Sequence, residues 1–261
     1  MNKPIAGDGT VGKAIEVLEK VADFGRPVRF SELLESSPHP KATLYRLLQT
    51  LTSQGMLIYN DEQQTYSMGL KLLRLAHTAW AQSSLANIAS PHLDKLVSEV
   101  KETLHLAQMD AGQVVFVDKK YRSAHFDTIA QTGLVAPAHC TGVGKAILAF
   151  LSPARLERAV GMQNFYQFTP KTLTSREALE VELGTIKKQG FAFDREEHEV
   201  GIISVAAPII RANGQPLGAV SIASSTHRHS PESLQAFTPN LLETVREISK
   251  EAEAWTFPQA D

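Results

Sequence analysis

The segment Gly142-Val143-Gly144-Lys145 has residue types and spacing that could bind an anion, because an apolar helix follows from Ala146. Glycines at a helix start leave backbone N–H groups accessible, and the helix dipole favours negative charge there. A nucleotide-binding P-loop is excluded, since that motif needs glycine where His139 stands and serine or threonine where Ala146 stands. A carboxylate cradle and plain close packing of the turn are both open at this point.

A strongly acidic segment, Asp194 to Glu199, directly precedes the apolar run Ile202 to Ile210. Such charge runs are usually solvated surface, although a loop covering a ligand entrance would also lie before a buried strand. Ser204 and Ser221 lie inside apolar strands, where an unpaired hydroxyl costs about 1–3 kcal/mol. Either a bound ligand or a cross-strand hydrogen bond to the backbone would satisfy these hydroxyls.

The dipeptide His139-Cys140 invites an enzymatic or metal interpretation, which the rest of the sequence does not support. A reactive cysteine needs a base in contact and a lowered pKa, and adjacency in sequence provides neither. A zinc site needs three or four ligands, usually at recognisable spacing. The candidate histidines are instead scattered, at His105, His125, His139, His198, His227 and His229. We therefore expect no catalytic residue, no metal site and no cofactor.

The segment Pro40 to Leu51 could read DNA. Its four leucines, at positions 44, 47, 48 and 51, occupy one face of a helix. On the other face, Lys and Arg can pair with guanine or phosphate, Gln with adenine, and Ala and Thr methyl groups with thymine. Hydroxyls can bond phosphates. The DNA-binding candidates are Ser37, Lys41, Ala42, Thr43, Tyr45, Arg46 and Gln49. The alternative is a merely solvated polar face.

The elements around this helix predict a winged helix-turn-helix. A helix is expected from Val11 to Ala22, and a short helix within Val28–Glu35 with Ser31 as its cap. Two short strands, Met56–Tyr59 and Thr65–Ser67, flank a polar turn. A further helix, Leu70 to Trp80, carries an apolar stripe that could cover a partner helix.

The second half predicts antiparallel strands flanked by helices, which makes the fold class α+β. Asn213-Gly214 between two apolar runs is a strong hairpin signal. Ser90-Pro91 is expected to open a helix that runs to about Thr103. The other predicted helices are Val143–Leu151, Ser175–Gln189 and Pro231–Trp255. The predicted strands are Leu104–Met109, Gln113–Lys119, Phe191–Phe193, Ile202–Ile210 and Pro216–Ala223.

Chain length and net charge limit the classes of function that the sequence allows. A chain of 261 residues suits two domains, and its composition, 43% hydrophobic, is that of globular proteins. One cysteine, no long apolar run and no secretory signal lead us to expect a cytoplasmic protein. Net charge is −2, and residues 1–80 hold nine Lys and Arg against eight Asp and Glu. Because the turn with Asp61 and Glu62 is acidic, useful DNA affinity would require dimerisation.

The chain resembles the IclR-type transcriptional regulators along nearly its whole length. The stretches that carry the resemblance are Pro40–Leu51, Tyr66-Ser67-Met68-Gly69, His139–Ala146, Asp194–Gly201 and Val205–Ile209. Each stretch is moderately specific, and their order and spacing together are very specific. The resemblance implies a winged helix-turn-helix at residues 1–69, a dimerising linker helix at 70–88, and a GAF-like effector-binding domain at 89–261.

The resemblance also implies partners and a ligand site. Relatives form homodimers or homotetramers on palindromic promoter DNA, and most repress, so we expect a repressor of a catabolic operon controlled by a small organic acid. Relatives that hold a small acid bind it at positions corresponding here to Gly142, Val143, Asp194, Ser204 and Ser221. Ala223 stands where a hydroxyl is common, so the hydrogen bonds to the effector differ. The alternatives are a sensor that binds no DNA and a hydrolytic enzyme using Cys140.

Overall fold

The computed structural model describes residues 9–83, 85–121 and 128–254, without the side chains of residues 83 and 254. The chain divides into two compact units between Gln82 and Ser83; we call the first the head unit and the second the sheet unit. The boundary falls inside the stretch 70–88 that the sequence predicts as a linker. None of the helices among the described residues is long and apolar enough to cross a membrane.

In the part that the structure describes, the head unit contains four helices, the last of which ends one residue past the boundary, and a three-stranded antiparallel sheet. Its elements in chain order are α1 (Thr10–Asp23), β1 (Val28–Arg29), α2 (Phe30–Ser36), α3 (Lys41–Ser53), β2 (Leu57–Asn60), β3 (Thr65–Met68) and α4 (Leu70–Ser83). The sheet order is β1-β3-β2. The four leucines of α3 are all buried, against α1 residues such as Val17 and Val21. Their burial, about 1.5–3 kcal/mol for each side chain, turns the polar face of α3 outward.

The start of α2 differs from the prediction, and strand β1 precedes it. Ser31 is not the cap of α2, because the two residues before the helix, Val28 and Arg29, pair with β3 and the helix starts at Phe30. The carboxylate of Glu32 instead accepts a hydrogen bond from the backbone N–H of Arg29, at 2.9 Å. A two-residue strand is too short to show a period in the sequence, so β1 was not predicted.

Among its described residues, the sheet unit is built on six antiparallel strands in the order β6-β5-β4-β9-β8-β7, which confirms the predicted α+β class. The strands are β4 (Thr103–Asp110), β5 (Gln113–Lys120), β6 (Val135–Pro137), β7 (Ala192–Arg195), β8 (Ile202–Ile210) and β9 (Pro216–Ser225). The helices are α5 (Ala86–Val100), α6 (Gly142–Leu148), α7 (Pro153–Gly161), α8 (Arg176–Gln189), α9 (Pro231–Leu234) and α10 (Thr238–Glu251). Asn213-Gly214 closes the β8–β9 hairpin, where Arg211 N–H donates to the Gln215 carbonyl.

The two faces of this sheet differ in side-chain size. Large residues such as Val205, Val220 and Ile222 pack with helices α5 and α10 in one core. The alternate positions of β8 and β9 face the other side and are small, for example Ala206 and Ala219, which pack with α6 and α8. Because successive strand residues point to opposite faces, this alternation lets α6 lie close to the sheet and leaves room beside it.

Several boundaries in the sheet unit differ from the predictions. Helix α5 begins at Ala86, one turn before Ser90-Pro91, because Leu85 and Ala86 are fully buried and hold the first turn in the core. Pro91 lies in the second turn, where its missing N–H removes one helical hydrogen bond. Helix α7 and strand β6 were not predicted. The predicted helix Pro231–Trp255 is interrupted by a 3-10 turn at Gln235–Phe237, before Pro239, and Trp255 lies outside the described residues.

The close approach of α6 predicts the effect of adding a methyl group at Gly144. A Cβ there would lie 2.4 Å from the Ala138 carbonyl oxygen, so Gly144→Ala should destabilise the chain by about 1–3 kcal/mol. Gly184→Ala is the control, because this helical glycine of α8 has nothing within 4 Å of such a Cβ, and alanine should add about 1 kcal/mol. Equilibrium urea unfolding measures both; equal effects would refute the close approach.

Candidate functional site

The outward face of α3 carries the predicted DNA-reading side chains together. Lys41, Ala42, Tyr45, Arg46 and Gln49 are exposed, and Thr43 is half-buried. The helix begins directly after Pro40, so its first turn displays Lys41 and Ala42. In helix-turn-helix proteins, residues near the start of the second helix meet the base edges in the major groove. The arrangement is therefore that of a recognition helix.

Ser37 lies before α3 in the turn that joins it to α2. Its Oγ accepts a hydrogen bond from the backbone N–H of His39 at 3.1 Å, and the side chain is half-buried. His39 Nε2 in turn lies 3.2 Å from a carboxylate oxygen of Glu16 in α1. Ser37 thus helps to shape the turn, and its own hydroxyl hydrogen is still available to a phosphate.

The turn between β2 and β3 exposes Asp61 and Glu62 at its tip. Two exposed carboxylates repel a phosphate backbone rather than neutralise it. The exposed acidic tip of this turn is therefore unsuited to hold phosphate.

A cavity of about 420 Å³, including its opening to solvent, lies in the sheet unit. All five predicted effector residues line it: Gly142, Val143, Asp194, Ser204 and Ser221. They come from four elements, α6, β7, β8 and β9, which meet in the folded sheet unit. Asp194 pairs with Ser204 across β7 and β8, and Ser204 pairs with Ala223 across β8 and β9. Neighbouring strands lie about 4.8 Å apart, so these side chains form one row.

The start of α6 forms one wall of the cavity. A Cβ on Gly142 would lie 2.8 Å from Ser204 Oγ, so glycine permits this approach between helix and strand. Thr141 caps the helix, since its Oγ accepts from Gly144 N–H at 3.3 Å. The N–H groups of Gly142 and Val143 belong to the first turn, where no intrahelical carbonyl is in reach. Close packing and accessible N–H groups therefore occur in the same segment.

Asp194 is the buried acid of the cavity, with 7% of its surface exposed. Burial, and secondly the Glu197 carboxylate, raise its pKa to about 7, while N–H bonds from Glu197 and His198 oppose that rise. The folded chain therefore holds this proton more tightly than the unfolded chain. Its contribution to stability is present below the ordinary pKa of 3.8 and is lost as the pH rises through about 7.

Two cavity histidines, His105 and His198, were not assigned from the sequence. His105 lies 3.0 Å from Thr128 Oγ1 through Nε2 and 3.4 Å from Ser221 Oγ through Nδ1. The Ser221 hydroxyl thus has a side-chain neighbour in His105. His198 packs against Phe168, and burial lowers its pKa. In the sequence, His105 lies between Leu104 and Leu106, so the alternation of a strand places it on the other face from these leucines. This alternation was the signal from which His105 could have been assigned to the cavity face.

Lys145 does not line the cavity, although the sequence placed it in a possible anion cradle. Its ammonium is fully buried and lies 2.5 Å from Glu197 Oε1 and 3.5 Å from Glu182 Oε1. Burial raises the pKa of Glu197, and the Lys145 charge opposes that rise. The backbone N–H of Glu197 donates to Asp194 Oδ1 at 2.8 Å. The pair therefore fixes the loop that follows β7, and the backbone of that loop holds the carboxyl group of Asp194 in the strand.

His139 and Cys140 lie in buried surroundings that stabilise the fold and do not activate either side chain. His139 Nδ1 lies 3.2 Å from Gln163 Oε1, and burial lowers the pKa of its ring. Burial also raises the pKa of the Cys140 thiol, which is the opposite of what a nucleophile requires. Among the residues that the structure describes, no three His, Cys, Asp or Glu side chains form a group that could hold a metal ion. His125 lies outside those residues.

Comparison with known proteins gives two family matches. The model described as Bacterial transcriptional regulator IclR C-terminal matches residues 77–250, and the IclR helix-turn-helix domain matches residues 10–61. The HTH-type transcriptional regulator XynR of Escherichia coli strain K12 is 28% identical over 241 residues, which are 92% of this chain and 96% of the relative. The two family models together span most of the chain.

Solved structures agree with these matches. The crystal structure of the IclR protein of Thermotoga maritima is 28% identical, with a TM-score of 0.73, and the match covers 94% of this chain and 98% of that one. An IclR homolog from Microbacterium hydrocarbonoxydans, solved in complex with 4-hydroxybenzoate, is 21% identical with a TM-score of 0.77, covering 94% and 100%. At 21% identity the second likeness supports the fold.

The buried ion pair predicts the cost of removing its cation. Lys145→Met should lower the free energy of unfolding by about 3–5 kcal/mol, because Glu197 would be left buried without its partner. Lys171→Met is the matched control, since Lys171 pairs with the neighbouring Glu196 while 59% exposed, and such pairs contribute about 0–1 kcal/mol. Equilibrium urea unfolding separates the two variants. Similar small losses in both would contradict the role given to Lys145.

Proposed function

This chain belongs to the IclR family of bacterial transcriptional regulators, and we propose that it represses a catabolic operon by binding a palindromic promoter site as an oligomer. The family comprises DNA-binding regulators with an effector-binding domain, and it is not enzymatic. In our proposal residues 1–69 bind DNA, residues 70–88 link and dimerise, and residues 89–261 bind the effector. A regulator of the bacterial chromosome acts in the cytoplasm, where we place this chain.

The exposed face of α3 is the observation that carries the DNA-binding part of the proposal. Lys41 and Arg46 would pair with guanine or phosphate, and Gln49 with adenine. Tyr45 lies between Lys41 and Gln49 on the same exposed face of α3. Ala42 and Thr43 would place methyl groups against thymine, and Ser37 would donate to a phosphate. The four buried leucines fix which face of the helix is presented.

Oligomerisation is supported by the apolar surface of α4 and by the weak charge of the head unit. Leu70 and Leu73 are 77% and 70% exposed, and Leu75 is 45% exposed. Apolar surface of this kind on a helix is buried when two copies pair. Because residues 1–80 carry a net charge of only +1, one head neutralises few phosphates, and two heads on a palindrome would give useful affinity. We propose a homodimer, or a tetramer formed from two dimers.

The cavity supports a small organic acid as the effector. Gly142 and Val143 would give N–H groups to the ligand carboxylate, while Ser204 and Ser221 would give hydroxyls. Asp194, because burial raises its pKa to about 7, would carry a proton and donate it in a hydrogen bond. The homolog from Microbacterium hydrocarbonoxydans was solved with 4-hydroxybenzoate, which makes that acid a suitable first probe. An effector would act by binding more tightly to one of two conformations, here the one released from DNA.

Arg46→Ala is the variant that tests DNA reading. If Arg46 contacts a base, the variant should lose about 1–3 kcal/mol of binding to the selected site and much less to competitor DNA. Arg158→Ala removes the same charge from α7 in the sheet unit and serves as the control. The measurement is equilibrium binding of the full chain at several salt concentrations. If the wild-type chain shows no preference for any genomic site over competitor DNA, the proposed function is wrong.

A further inference from the structure

We propose that Tyr45 and Gln49 form one reading unit on α3, in which Tyr45 orients the Gln49 amide so that it selects adenine. This inference rests on the proposed function, because it concerns how α3 meets DNA. The proposed function already pairs Gln49 with adenine; the new element is the positioning role of Tyr45, which makes that pairing selective. A hydrogen bond joins the two side chains, and a ring contact restrains Tyr45.

The hydrogen bond joins two side chains one helical turn apart. Gln49 Nε2 donates to the Tyr45 hydroxyl oxygen at 3.0 Å. Residues four apart in a helix lie on the same face, and here that face is exposed while Leu44 and Leu48 are buried opposite. The bond therefore forms at the surface that a DNA groove would meet. An outward-facing pair of this kind is displayed to the base edges as a unit.

The tyrosine ring is itself held in place. Phe30, the first residue of α2, meets the ring of Tyr45 edge-on, with centroids 6.1 Å apart and planes at 77°. Phe30 packs against the hydrophobic core of the head unit. Edge-to-face contact is a preferred arrangement for aromatic rings. This contact restricts the ring and so helps to keep the Tyr45 hydroxyl within reach of the Gln49 amide.

The donors and acceptors of the Gln49 amide indicate which base this side chain selects. The glutamine amide has two N–H donors and one oxygen acceptor. One N–H is used by Tyr45, so the amide presents one N–H and one oxygen side by side. In the major groove adenine presents the complement, an N7 acceptor beside an N6 donor. Guanine presents two acceptors, and its O6 would face the amide oxygen of Gln49. Adenine is therefore the base that this orientation favours.

The test is selection of binding sites from random duplex DNA by the full chain and by its variants, followed by affinities for single-base changes. Wild type should select a motif in which one base position of each half-site, called a column here, is adenine. Gln49→Ala should abolish the preference in that column, a loss of about 5- to 100-fold in discrimination. Tyr45→Phe keeps the ring and removes the acceptor, so it should weaken the same column at least about threefold and leave the other columns unchanged.

A change of base preference distinguishes reading from a merely structural role. Gln49→Glu replaces the amide by a group that only accepts, so the column should change from adenine towards cytosine, whose N4 donates. Thr50→Val is the control. It removes a hydroxyl from the same helix, one that bonds the Arg46 carbonyl, and should leave every column unchanged.

The outcomes separate this inference from the proposed function. If wild type selects no motif, the proposed function fails and the pair has nothing to read. If a motif is selected and Gln49→Ala alters no column, Gln49 does not contact a base. If Gln49→Ala alters the column while Tyr45→Phe leaves it intact, Tyr45 does not orient the amide. Loss of the same adenine column in both variants, with all other columns retained, supports the reading unit.

Discussion

The buried ion pair between Lys145 and Glu197 is the interaction on which the cavity of the sheet unit depends. Lys145 belongs to α6, whose first residues line the cavity, and Glu197 belongs to the loop that follows β7. A buried charge that loses its partner is strongly unfavourable, so each residue holds the other in place. Glu197 also donates its N–H to Asp194. The position of the Asp194 carboxyl group therefore depends on an ion pair whose two residues do not line the cavity.

The two faces of the sheet explain why the cavity exists at that place. Large side chains on one face pack against α5 and α10, and small ones on the other let α6 approach while leaving space next to Ser204 and Ser221. In the head unit, α3 has one face of buried leucines and one exposed polar face. A ligand in the sheet unit can influence DNA binding only if it binds two conformations with different affinity.

How far the sequence alone leads depends on the range of the interactions involved. The leucine period of α3 and the Asn213-Gly214 turn are local signals, and the elements they predict are present. Leu85 and Ala86 move the start of α5 through tertiary burial, which overrides the local signal of Ser90-Pro91. The direction of the Lys145 side chain and the approach of His105 to Ser221 depend on distant segments, so no local pattern contains them. The cavity residues were found through family resemblance, because β7, β8, β9 and α6 meet only in the folded chain.

Thermal unfolding of the full chain in the presence of small organic acids tests most directly whether the cavity around Asp194 binds such an acid, as we propose. The full chain is heated with a panel of small organic acids, including 4-hydroxybenzoate, at pH 6 and at pH 8. In the proposed site, protonated Asp194 would donate a hydrogen bond to the carboxylate of the ligand and ionised Asp194 would repel it, so affinity should weaken by up to about tenfold per pH unit above 7. At least one acid should therefore raise the melting temperature more at pH 6, whereas with Asp194→Asn the shift should be equal at both pH values. A panel without any stabilising acid, or a shift that grows with pH in the wild-type chain, would contradict the account.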